Sequence, residues 1–196
     1  MRKGLAGVLA SLTLAAPAMA GVLDDDRADI LYHRYDGGGV TIDGPSLLVR
    51  KKFAEQYAAT AGYYVDMVSS ASIDVVTTAS PYAEERKEYG LGFEYLRDKV
   101  TYRLGYSNSR ENDYDADTAY ASISQDMFGD LTTIAFGFRR GENQIYRNVR
   151  STSGALQRDP TFAAESDTRG YSVSLTQVLT RDLIATAAYD LMTDEG

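Results

Sequence analysis

Tyr89-Gly90-Leu91-Gly92-Phe93-Glu94-Tyr95, the tight turn Arg97-Asp98-Lys99, and Val100-Thr101-Tyr102-Arg103-Leu104-Gly105-Tyr106-Ser107 decide the fold of this chain. Large apolar residues take every second position of both runs. Gly90, Gly92 and Glu94, then Thr101, Arg103, Gly105 and Ser107, take the positions between. Leu131–Arg140 repeats the pattern, with Ile134, Phe136 and Phe138 against Thr133, Ala135, Gly137 and Arg139. Thr118–Met127 supplies the remaining, less regular member of the four. Strict alternation over roughly 8–10 residues predicts strands with one greasy and one polar face. A face of charges and glycines is a poor protein core but a natural lining for a watery lumen. Membrane-spanning strands need about 9–11 residues, and these runs have that length. The expected class is all-β, an antiparallel up-and-down transmembrane β-barrel.

Composition agrees with that class. The 196 residues are 44% hydrophobic, yet no apolar run outside the N-terminus approaches the ~20 residues of a spanning helix. A barrel conceals its apolar content in alternation. The 15 Tyr, against 6 Phe and no Trp, suit a bilayer interface and strands in general. The formal net charge is −8, and about −10 once a leader carrying Arg2 and Lys3 is removed. Nothing resembles a basic footprint, so nucleic acid is not an expected partner. With no cysteine there are no disulfides, thiolate metal sites or cysteine nucleophiles.

Residues 1–20 read as a secretory signal peptide. Arg2 and Lys3 form the positive region, Leu5–Leu14 the short apolar region, and Ala18-Met19-Ala20 the small-x-small cleavage pattern. Residues 21–196 are then the N-terminal part of an outer-membrane barrel domain. Asp24, Asp25, Asp26 and Asp29 open it. Ile30–Asp36 reads as a first strand, ended by Gly37-Gly38-Gly39; Asp43-Gly44-Pro45 is a second turn signal. Ser46–Phe53 and Tyr57–Met67 follow as strands, and Ser69–Pro81 reads as an irregular excursion, a candidate to fold into the lumen. Arg110–Asp117 and the polar stretch Gly141–Thr168 are expected to be long exterior loops. The connections at Arg97-Asp98-Lys99, Phe128-Gly129-Asp130 and Leu179–Asp182 are short. Such long–short alternation is the rhythm of a barrel with two unlike rims. Gly170–Val178 and Leu183–Thr193 form a last hairpin. Ser124–Leu131 echoes Thr176–Leu183, each a strand end, a short turn and a strand start.

About nine strands result, whereas bacterial single-chain barrels use even numbers. The chain stops at Thr193-Asp194-Glu195-Gly196 without an aromatic closing strand. An open sheet would leave unpaired edges that a bilayer does not tolerate, so the expectation is a truncated sequence.

Several stretches resemble the bacterial family known as domain of unknown function 3570. They are Tyr32-His33-Arg34-Tyr35-Asp36-Gly37-Gly38-Gly39, Asp43-Gly44-Pro45-Ser46 and Tyr64-Val65-Asp66-Met67-Val68-Ser69-Ser70-Ala71-Ser72. Ile73-Asp74-Val75-Val76-Thr77-Thr78-Ala79-Ser80-Pro81-Tyr82 and the two Gln-containing hairpin units match as well. The likeness extends over nearly all of the mature chain. It implies a Gram-negative outer-membrane barrel that continues past residue 196. The family carries no catalytic motif to transfer, so the resemblance speaks to place and fold.

Chemistry-bearing residues are sparse. His33 is the only histidine, and a hydrolase triad would have to use it as base. No Gly-x-Ser-x-Gly accompanies it, and a polar lumen or rim residue is the simpler reading. Asp113, Asp115 and Asp117 have the spacing of a calcium loop, but the sixth and twelfth positions are Thr118 and Ser124 instead of Gly and Glu. They remain weak metal candidates in a solvated acidic loop. Gly37-Gly38-Gly39 lacks the Lys-Ser/Thr of a phosphate loop and is read as a turn. Glu84-Glu85-Arg86-Lys87 is read as a solvated charge cluster. Glu94 and Arg103 face the lumen across one hairpin and are candidates to pair or set pore selectivity. Asp66 and Asp74 are further lumen-lining candidates.

The expected function is non-enzymatic: an outer-membrane barrel serving as pore, transport component or scaffold, with no cofactor. Its expected partners are outer-membrane lipid and, during biogenesis, the barrel assembly machinery. The alternatives are a barrel enzyme of the lipid-hydrolase type and a soluble periplasmic lipocalin-like binder. The latter would need the Tyr/Leu/Phe face to point inward.

Overall fold

The computed structural model describes residues 22–70, 82–150 and 156–196. The expected signal peptide, the excursion beyond Ser70, and Asp74 with it lie outside these. Among the described residues nine strands follow one another: β1 (Arg27–Gly37), β2 (Val40–Phe53), β3 (Tyr57–Ser70), β4 (Tyr82–Arg97), β5 (Val100–Arg110), β6 (Tyr114–Met127), β7 (Thr132–Arg150), β8 (Leu156–Thr180) and β9 (Leu183–Glu195). They make one sheet in sequence order, each strand antiparallel to the next. The sheet is open, with β1 and β9 at its edges. The all-β, up-and-down expectation holds, and so does the strand count.

Alternation places the residues on two faces. Register lines up Tyr57, Tyr95, Tyr102, Ile123, Phe136 and Val173 across six strands on one face. That face lies open, with Ile30 at 80%, Leu91 at 64% and Leu104 at 57% exposure. Among the described residues the buried apolar side chains are only Leu23, Ala58, Val65 and Leu96. Tyrosines mark both margins of the apolar band. Tyr57, Tyr95 and Tyr102 stack successively at 4.9 and 5.9 Å near one end. Tyr63 and Tyr89 meet at 4.9 Å near the other. Tyr57 and Tyr63 stand six residues apart on β3, about 20 Å at ~3.3 Å per residue.

Three sequence expectations about connections are corrected. Asp43-Gly44-Pro45 is no turn; it lies within β2, and Gly44 pairs with His33 of β1. A Cβ at Gly44 would stand 1.9 Å from the Val65 carbonyl oxygen, so only glycine admits β3 this closely. Pro45 has no N–H to donate, and the β2–β3 register passes from Asp43↔Met67 to Ser46↔Tyr64. Turn-like residues here serve a close strand approach.

The expected loop Arg110–Asp117 shrinks to residues 111–113 between β5 and β6. The expected loop Gly141–Thr168 is largely strand, because β7 runs 19 residues and β8 runs 25. These extensions pass beyond the apolar band, so no greasy period marks them in the sequence. Four residues, Asp159-Pro160-Thr161-Phe162, bulge opposite Arg147. Arg147 Nε donates to Asp159 at 3.0 Å and its guanidinium lies 5.2 Å from the Phe162 ring centroid. Hydrogen bonds from Thr161 and then Arg147 hold the Asp159 carboxyl down to about 2. Arg158 ties the extension to the β5–β6 turn. It donates to both Asp115 oxygens at 2.6 and 2.9 Å and to the carbonyls of Glu111 and Asn112 at 2.8 and 3.0 Å.

Candidate functional site

The polar face holds the ionisable groups of interest. Arg50 projects from β2 and Glu94 from β4, and they meet over the intervening β3 because Ala58 and Thr60 are small there. The guanidinium donates to the two carboxylate oxygens at 2.8 and 3.1 Å. Such a fork-on-carboxylate geometry is among the strong polar contacts. Arg103, opposite Glu94 in the β4–β5 register, approaches the same carboxylate at 3.7 Å and donates to Ser124 at 3.4 Å. The expected Glu94–Arg103 facing pair is therefore present, but Arg50 is the closer cation. The local sequence does not single out Arg50. Its partner is 44 positions away, and no local pattern signals it.

The N-terminal segment packs on this face near the short-turn end. Leu23 is buried with Ala58 and Leu96. The Asp24 carbonyl accepts from Arg50 Nε at 3.3 Å, and the Asp26 carboxylate accepts from the Lys52 backbone N–H at 2.6 Å. Tyr120 of β6 lies flat over Gly105. A Cβ there would meet its ring at 2.1 Å, and the hydroxyl reaches over Gly92. Glycines on the polar face thus seat an aromatic ring.

Towards the other end, Asp66 accepts a 2.8 Å hydrogen bond from His33 Nε2 if that nitrogen carries the proton. The Tyr64 ring stacks on His33 at 4.8 Å between centroids, and its hydroxyl lies 3.2 Å from Nε2. Among the described residues the only hydroxyl bonded to His33 is this phenol.

Asp113, Asp115 and Asp117 are not brought together. Asp115 is clasped by Arg158 and, at 3.3 Å, by Arg110. Asp117 accepts from Tyr106 and from Asn108, the latter at 2.7 Å. Asp113 instead joins Glu84 and Glu111, with carboxylate oxygens within 4.8 Å of one another. That spread is one a divalent cation could bridge. Burial, then the Asp113 and Glu111 charges, push the Glu84 carboxyl up to about 7. Burial also raises Glu111, opposed by Arg86 at 3.7 Å. Glu84-Glu85-Arg86-Lys87 divides between faces, with Arg86 donating to Glu88 at 2.5 Å and Lys87 paired with Glu85.

The family described as protein of unknown function (DUF3570) matches residues 73–196, which is 124 of the 196 residues. The chain belongs to this family. The DUF3570 match takes in β4 to β9, hence Glu94, Arg103, Tyr120 and the Glu84–Glu111–Asp113 cluster. Arg50, His33 and Asp66 precede the matched DUF3570 segment. No curated protein and no solved structure matches the chain.

Proposed function

We propose that this chain forms part of an outer-membrane β-barrel that works as a non-enzymatic pore, transport component or scaffold. One observation carries the reading: the large apolar side chains lie on an exposed face bounded by tyrosines, while the opposite face bears charges and glycines. Exposed apolar surface on this scale calls for a non-aqueous neighbour, and lipid is the solvent that alternating strands of this length suit. A lipocalin-like binder would need the same side chains turned inward. The N-terminal leader, read from residues 1–20, supports export, and outer-membrane lipid with the barrel assembly machinery would be the partners.

The test uses the full-length protein carrying this sequence. Envelope fractionation is combined with a detergent gel comparing heated and unheated samples. Outer-membrane recovery with a heat-dependent mobility shift is the expected result. Recovery as a soluble periplasmic monomer without a shift would overturn the reading.

A further inference from the structure

Two adjoining rungs of the polar face gather cations in an otherwise acidic chain. One rung, in register across the sheet, includes Arg27, Arg50, Tyr120 and Arg139; the next includes Lys52, Glu94, Arg103 and Asp190. Five cations therefore stand against two carboxylates, while the whole chain has net charge −8. Arg27 and Lys52 have acidic neighbours at the β1–β2 edge, Asp29 at 3.2 Å and Asp25 at 3.4 Å. Glu94 is engaged by Arg50 through both oxygens, which leaves Arg103 only at 3.7 Å. Arg139 forms no ion pair among the described residues. It lies over Gly170 and donates to Met192 Sδ at 3.4 Å.

We propose that Arg103 and Arg139, on either side of Tyr120, form an anion-selecting girdle that admits small carboxylate or phosphate solutes. The proposal rests on the pore reading above. Arg103 belongs to β5 and Arg139 to β7, about 10 Å apart across the sheet at ~4.8 Å per strand, with the β6 residues Tyr120 and Ser122 between them. A guanidinium presents paired N–H donors matched to planar carboxylate or phosphate oxygens. Rings of Arg or Lys select anions in pores. The Arg50–Glu94 pair fixes the neighbouring wall, and one carboxylate shared by Arg50 and Arg103 leaves that trio with one net positive charge.

The experiment reconstitutes the full-length protein in planar lipid bilayers and reads the reversal potential in a potassium chloride gradient. Wild type, R103Q/R139Q and the turn control R181Q are compared, each first checked for the heat-dependent gel shift. The expected result is chloride preference in wild type and R181Q. The permeability ratio should drop about fivefold per guanidinium removed, the weight of one unit charge at contact distance through water. Inorganic phosphate should reduce the chloride current of wild type and not of R103Q/R139Q. A conducting protein with cation preference, or one indifferent to R103Q/R139Q, overturns the girdle and leaves the pore standing. A protein with the gel shift but no conductance overturns the pore reading and the girdle with it.

Discussion

Arg50 on β2 and Glu94 on β4 are joined through two hydrogen bonds, 2.8 and 3.1 Å long, across a strand that contributes only small side chains beneath them. Arg50 is 6% exposed. Removing its partner would leave a charge that water reaches poorly. A double-mutant cycle of R50Q and E94Q, read by denaturant unfolding in lipid vesicles, should give a coupling of about 1–3 kcal/mol. Additive effects would show that the contact contributes nothing specific.

Gly105 and Tyr120 form a second dependent pair. A methyl group at Gly105 meets the Tyr120 ring, so G105A should destabilise by about 1–3 kcal/mol. In a Tyr120→Ala background the same change should be close to neutral. An equal cost in both backgrounds would place the strain elsewhere.

The two faces should respond oppositely to charge. Leu91 is 64% exposed within the apolar band, and L91K should cost about 2–4 kcal/mol if that face meets the bilayer midplane. Ser174→Lys on the polar face should be tolerated. The folded fraction in vesicles, measured by the gel shift, separates the cases. Equal tolerance of both would contradict a lipid-facing band.

Leu23 holds the N-terminal segment against Ala58 and Leu96. Leu23→Asp should release residues 22–26, seen as faster proteolysis there with the sheet's gel shift retained. Unchanged protection of the segment would mean that its hydrogen bonds from Arg50 and Lys52 suffice.

Two carboxyl groups outside the apolar band should give stability opposite pH dependences. Glu84 is raised from 4.5 to about 7, so its protonated form favours the fold. That contribution is complete below 4.5 and is lost as pH rises through about 7. Glu84→Gln should remove the loss and flatten the unfolding midpoint between about pH 5 and pH 8. Asp159 is lowered from 3.8 to about 2. Its contribution is present above 3.8 and is lost as pH falls through about 2. An acid-side slope that persists in Asp159→Asn would refute the second assignment.

Local sequence was enough for the strands of Tyr89–Arg140, because side-chain direction in a strand has a period of two and needs no distant partner. It also placed Glu94 opposite Arg103, since a two-residue turn fixes their register. It failed where contacts come from afar. Asp43-Gly44-Pro45 has the composition of a turn, yet Gly44 is there to let Val65 approach. The stretch after Gly141 has no greasy period, so its strand character depends on pairing between β7 and β8. Asp113, Asp115 and Asp117 are close in sequence, but Asp113 lies in the β5–β6 turn and joins Glu84 and Glu111, while Asp115 and Asp117, on one face of β6, are taken up by different neighbours.

By itself, the sequence determined an alternating all-β chain with one greasy and one polar face, because a strand's facial pattern is written residue by residue. Only the tertiary structure decided which charges meet. Arg50 finds Glu94 across β3, and Asp113 joins Glu84 and Glu111. Those relations depend on register summed over several strands, and no single stretch of chain contains it.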